Sequence, residues 1–119
     1  MSNPYGAAEI SVQDVAAKVK AGEQFVWLDV REPNELNAAA IDNELVVNVP
    51  MSQLAQKQIA ALPPGAEDKD AEIVVFCHHG MRSAQVAAWL QGQGWTNVVS
   101  MEGGIDAWAK QVDGSVGLY

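Results

Sequence analysis

The sequence predicts an α/β fold: a small domain with a central, mainly parallel sheet flanked by helices on both faces. Three observations carry that expectation. Short strand-like runs alternate with helical stretches along the chain. The strand-like runs are continuously apolar rather than alternating, as strands buried on both faces are. The 119 residues, 49% of them hydrophobic, suit one domain spanning 1–119, large enough for an ordinary core without disulfides or metal.

Taken in order, residues 11–22 read as a helix. Ser11 can cap its start, Val12, Val15, Ala16 and Val19 form one apolar face, and Gly22 stops it. The run 25–30 (Phe-Val-Trp-Leu-Asp-Val) reads as a buried strand. Pro33 then opens a weak helix to about Ala40, with Glu32 and Glu35 near its positive end. Residues 45–47 (Leu-Val-Val) are a second strand, and a helix from about Met51 to Ala61 is closed by Pro63-Pro64-Gly65. Residues 65–72 form a charged, solvated turn. Ile73-Val74-Val75-Phe76 is the clearest strand and Ser83 to Gln93 the clearest helix, ended by Gly92 and Gly94. Val98-Val99 is one more strand, and Gly103-Gly104 leads into a last helix from Ile105 to Lys110.

Charge and cysteine usage exclude several function classes. Fifteen acidic residues face seven Lys and Arg, a net charge of −8. Nucleic acids and anionic membranes need clustered cations, so neither is an expected partner. One cysteine, Cys77, permits neither an intrachain disulfide nor a Cys-based zinc site. It is a packed thiol, an intermolecular crosslink or a reactive thiolate. The first ten residues carry no basic, apolar signal-peptide pattern, and no run approaches the ~18 apolar residues of a membrane span. The expected setting is the cytoplasm.

Chemistry concentrates in residues 73–83. Cys77 directly follows a buried strand, and a helix begins within a few residues. A short strand-to-helix loop at the carboxyl end of a parallel sheet aims backbone N–H groups and a positive helix end at one point. Sulfur held there is favoured as the thiolate. Gly80 lets the backbone turn closely, and Arg82 places a permanent cation suited to an oxyanion at the mouth. Residues 73–101 contain no Asp or Glu, where even placement would put about four. That clears like charge from the sequence neighbourhood and leaves His78, His79 and Arg82 around the thiol.

The run Cys77-His78-His79-Gly80-Met81-Arg82-Ser83 resembles the Cys-x-x-Gly-x-Arg-Ser active-site loop of single-domain rhodanese-family sulfurtransferases. Two other stretches resemble that family in the right order: Leu28-Asp29-Val30-Arg31-Glu32-Pro33, and Gly103-Gly104-Ile105-Asp106-Ala107-Trp108. Together they cover nearly the whole chain. One departure is Ala39-Ala40-Ile41-Asp42-Asn43-Glu44, where family members usually carry Gly-His-Ile-Pro-Gly-Ala. The chain rejoins the pattern at Asn48-Val49-Pro50.

The resemblance implies a ping-pong mechanism through a cysteine persulfide. Cys77 would take the outer sulfur of a small anionic donor such as thiosulfate and pass it to cyanide, a thiol or a protein acceptor. The amides of His78, His79, Gly80, Met81, Arg82 and Ser83 would stabilise the persulfide, and Arg82 would help bind the donor. Asp29 and Arg31 would brace the neighbouring strand end. The loop is Cys-x4-Arg, one residue shorter than the Cys-x5-Arg loop of related cysteine phosphatases, which favours sulfur over phosphate. The Arg82 end of the loop also favours thiosulfate over mercaptopyruvate. The alternative is a persulfide carrier or docking domain serving cofactor or tRNA thiolation. Val112 to Tyr119 resembles the tail of rhodanese domains fused to ubiquitin-like-protein activating enzymes. A phosphatase ranks third.

The remaining features read as structural. One Cys and two adjacent His rarely converge on one ion, so no metal and no cofactor is expected. Gly103-Gly104 is a tight turn with close backbone approach, since no phosphate-loop motif accompanies it. Trp27, Trp89, Trp95 and Trp108 are packing residues.

Overall fold

A computed structural model describes residues 3–119. Five strands form one sheet in the order β1-β5-β4-β2-β3, and every pairing among the described residues is parallel. The strands are β1 (Glu9–Ile10), β2 (Val26–Asp29), β3 (Val46–Asn48), β4 (Ile73–Phe76) and β5 (Val98–Met101). The helices are α1 (Val12–Lys20), α2 (Met51–Lys57), α3 (Met81–Gly92) and α4 (Gly104–Gln111). Because all strands run one way, their carboxyl ends share one rim. β4, which delivers Cys77 to that rim, lies in the middle between β5 and β2.

Period-two geometry along β4 sorts side chains between two cores. Ile73, Val75 and Cys77 join the core that contains Val86, Ala87 and Leu90 of α3 and Leu54 of α2. Val74 and Phe76 join the core beneath α1 and α4, with Val12, Val15, Ile105 and Trp108. Helices therefore cover both faces of the sheet, as the continuous apolar strands require. Ser11 caps α1, its hydroxyl accepting the Asp14 N–H at 3.1 Å. Trp27 is fully buried in the second core, with Phe25, Phe76 and Trp108 rings 5.2–5.8 Å away. Trp95 and Trp108 are also buried and Trp89 is half-buried, so all four indoles pack.

Several boundaries differ from the sequence reading. β1 has two residues and no periodicity to announce it; Ser100 and Glu102 N–H groups recruit it through the Ala8 and Ile10 carbonyls. The segment after Pro33 is a 3-10 turn, Pro33–Asn37, not a helix to Ala40. The helix expected to reach Ala61 ends at Lys57. Gln58 takes φ +54°, which breaks the α ladder, and a 3-10 turn covers Gln58–Ala61. α3 starts at Met81, two residues before Ser83, because Gly80 caps it in a left-handed conformation.

Trp27→Ala should cost about 3–5 kcal/mol, since it empties the centre of the second core. Urea unfolding followed by circular dichroism would measure the loss.

Candidate active site

Cys77 sits at the end of β4, and the geometry of its loop is set by α4. The Ile105 N–H donates to the Cys77 carbonyl at 2.9 Å, and the Asp106 N–H to the His78 carbonyl at 3.1 Å. Two carbonyl oxygens next to the sulfur are thus bonded to the α4 N-terminus. This approach needs glycine. A Cβ on Gly104, where φ is +61°, would lie 2.5 Å from both carbonyl oxygens, and a Cβ on Gly80 would lie 3.1 Å from the Gly103 nitrogen. The expected close approach of Gly103-Gly104 is to the backbone of Cys77 and His78.

The sulfur collects donors. The Gly80 N–H donates to Sγ at 3.1 Å and the Ser83 N–H at 3.3 Å, while Ser83 Oγ lies 3.5 Å away. The Ser83 N–H belongs to the first turn of α3, whose leading N–H groups have no partner inside the helix. Cys77 Sγ takes that place, at the positive end of the helix dipole. Cys77 is 1% exposed and Ser83 is fully buried. Behind Ser83, its hydroxyl meets Ser100 Oγ at 2.8 Å.

The remaining loop residues face outward. Met81 is 51% exposed. His78 is half-buried, its ring stacked on Tyr119 with centroids 3.7 Å apart and planes 4° apart. His78 Nε2 lies 2.7 Å from the Tyr119 carbonyl. His79 is exposed and stands 3.8 Å from Asp106. His78, His79 and Asp106 each bring a ligand-type atom within 4.8 Å of the others. Two of the three already have partners outside the group: the Lys110 ammonium holds Asp106 at 3.0 Å, and the Tyr119 carbonyl meets His78.

Arg82 departs from the expected free cation at the mouth. Its two terminal nitrogens donate to Glu35 at 2.7 and 2.8 Å, a bidentate pair. The acid-free stretch of sequence is therefore not an acid-free site, because the fold brings in Glu35 from before β3 and Asp106 from α4. Hydrogen bonds from Arg82 hold the Glu35 carboxyl down at about 2, with the Glu32 N–H and the Tyr119 hydroxyl adding to the effect against burial.

Asp29 and Arg31 form a buried ion pair. Arg31 Nε and Nη2 donate to the two Asp29 carboxylate oxygens at 3.0 and 2.8 Å, and both residues are at most 1% exposed. Arg31 Nη1 donates to the Ala39 carbonyl at 2.8 Å and to the Tyr119 hydroxyl at 3.2 Å. The Tyr119 hydroxyl in turn donates to Glu35 at 2.9 Å. A continuous network thus runs from Asp29 to Arg82 at the rim. Glu35, Ser100 and Tyr119 escaped the sequence reading. Glu35 carried only the signal of an acid near a helix start, Tyr119 figured only as the end of the tail resemblance, and Ser100 carried none.

The family profile of the Rhodanese-like domain matches residues 11–111. A sulfurtransferase from Allochromatium vinosum is 31% identical over 102 residues, covering 86% of this chain and 88% of its own. A chloroplastic rhodanese-like/PpiC domain-containing protein from Arabidopsis thaliana is 32% identical over 117 residues and 93% of this chain, which spans only 37% of that longer protein. Among solved structures, a rhodanese-related protein from Thermoplasma volcanium superposes with a TM-score of 0.70 at 33% identity, over 88% of this chain and 93% of its own.

Two outcomes follow. Gly104→Ala should lose at least about 2 kcal/mol of stability, read as a drop in thermal midpoint, because the new Cβ collides with two bonded carbonyls in a left-handed conformation. Glu35→Gln should cost about 1 kcal/mol at pH 7. The carboxyl is lowered in the folded state, so its contribution is present above the ordinary glutamate range and fades toward pH 2. Urea unfolding of both proteins at pH 7 and pH 3 should show the gap narrowing at the lower pH.

Proposed function

We infer the reaction from one premise: this chain belongs to the rhodanese-like domain family. Its relatives include sulfurtransferases, and we propose that it is one, carrying sulfur as a persulfide on Cys77 with thiosulfate as donor. The Cys77 thiolate attacks the outer sulfur of thiosulfate. An S–S bond forms, the bond to the sulfonate sulfur breaks, and sulfite leaves with the electron pair. A nucleophilic acceptor, cyanide or a thiolate, then attacks the outer persulfide sulfur, and Cys77 leaves as the thiolate. No net oxidation occurs, and the only sulfur nucleophile needed is the one cysteine in the chain.

The observation that supports this reading best is the donor set on Sγ. Two backbone N–H groups donate to it while neighbouring carbonyls bond to α4. The sulfur is anionic both before attack and as the leaving group, so donors fixed in place stabilise charge without reorganising. Arg82 takes a different part from the one its permanent charge suggested. Held by Glu35, it braces the loop against the segment after β2, and loop amides meet the donor's charge.

A second reading has its own support. The chain spans about a third of the Arabidopsis relative, and its net charge is −8. A persulfide carrier docking on a basic protein partner, and delivering sulfur for thiolation, would use the same cysteine with little turnover on free thiosulfate.

Incubation with thiosulfate, followed by intact-mass spectrometry, should show Cys77 gaining the mass of one sulfur atom, removable by cyanide. Cys77→Ser should show no adduct and no thiocyanate release. Thiosulfate should outpace mercaptopyruvate as donor. Loading only from a cysteine-desulfurase persulfide would favour the carrier. Full activity in Cys77→Ser would overturn both readings.

A further inference from the structure

We propose that Ser100 is a positioning residue for the nucleophile, acting through Ser83 to keep a hydroxyl proton available to Cys77. The proposal rests on Cys77 being the reactive sulfur and concerns how its charge is held.

The argument is a count of protons. Ser83 and Ser100 are both fully buried, and each hydroxyl has one proton to give. Among the described residues, Ser83 Oγ is the hydrogen-bond partner of Ser100 Oγ, at 2.8 Å. If Ser83 donated across that contact, the Ser100 proton would be buried without an acceptor, a costly arrangement. Ser100 therefore donates and Ser83 accepts. The Ser83 proton then has two destinations, the Gly80 carbonyl at 3.2 Å and Cys77 Sγ at 3.5 Å.

These two destinations correspond to the two states of the sulfur. As a neutral thiol, Cys77 donates its S–H to Ser83 Oγ, and Ser83 donates to the Gly80 carbonyl. Every group is then satisfied: Ser83 accepts twice and donates once. When Cys77 ionises, its proton departs and Sγ becomes the stronger acceptor. The Ser83 hydroxyl turns to it, because hydrogen bonds to charged acceptors are about twice as strong as neutral ones. Ser100 holds its own bond unchanged through the switch. It also polarises the Ser83 hydroxyl and so strengthens the bond to sulfur.

Ser100 comes from β5, so the support arrives along the strand adjacent to β4 and is as rigid as the sheet. Its backbone is fixed as well, the Ser100 N–H donating to the Ala8 carbonyl at 2.9 Å.

The test uses iodoacetamide alkylation of Cys77 across pH in the full chain. A thiol reacts as its thiolate, so the pH at half-maximal rate reports the sulfur's ionisation. A change in access scales the rate at every pH and leaves that midpoint alone. Thr and Val at position 100 are matched in shape and differ in the hydroxyl. Ser100→Val should move the profile to higher pH, lowering the rate below the midpoint about threefold relative to Ser100→Thr. Ser100→Thr should keep the wild-type midpoint. Ser100→Ala gives the same comparison without added volume if valine cannot be accommodated, and circular dichroism identifies which variants are folded. Folded Ala and Val variants with wild-type profiles would overturn the proposal. Sulfur loading from thiosulfate is scored separately, so its absence would count against the sulfurtransferase reading and leave this result standing.

Discussion

The site depends on which way two peptide units face. Left to itself, the backbone after a strand presents carbonyls and amides alike to the side chain that follows. Here the α4 N-terminus takes the Cys77 and His78 carbonyls, two groups that would otherwise need partners of their own. One set of bonds satisfies two needs, since the first N–H groups of a helix also lack internal acceptors. The Gly80 and Ser83 amides converge on the sulfur. Gly104 is the steric condition for this arrangement, and the cost of any side chain there is borne by the loop itself.

Charge is managed in two tiers. At the sulfur, support comes from neutral dipoles, which need no counterion and bring no desolvated charge of their own. Around it, ions are paired. Asp29 with Arg31 and Glu35 with Arg82 form two ion pairs linked by the Tyr119 hydroxyl, tying the end of β2, the Pro33–Asn37 turn and the loop into one frame. Removing one member of the buried Asp29–Arg31 pair would leave the other charge stranded, so that pair acts as a positioning device more than as a source of net stability. The Ala39–Glu44 stretch, where the sequence departs from its family's pattern, begins where Arg31 grips the Ala39 carbonyl, so the frame survives the departure.

Much of this was legible in the residues. Ile73 to Phe76 and the Val12–Val15 helix face show their burial through pattern alone, and the parallel sheet followed from their spacing. Cys77, Gly80 and Ser83 could be placed together because a loop of seven residues leaves little freedom. What was hidden involves partners far apart in sequence. Glu35 reaches Arg82 across 47 positions, and Ser100 reaches Ser83 from another strand. A count of acids along residues 73–101 could not register an acid delivered by folding. The two-residue β1 has no sequence signal because its pairing is dictated by the edge of β5. Tyr119, noted in the sequence only as part of the Val112–Tyr119 stretch, gains its place by stacking on His78.

Cys77 is only 1% exposed although it sits on the rim where ligands meet parallel sheets. A buried group reacts only in the fraction of molecules whose surroundings have opened. The observed rate is then the intrinsic rate multiplied by that fraction. The groups that touch the sulfur belong to rigid parts of the chain, the end of β4 and the N-terminal end of α3, while Met81 on the same loop is 51% exposed and His78 stacks on Tyr119. Whatever meets the sulfur from outside must therefore displace part of its surroundings, while the amides that hold it stay on the sheet and helix ends.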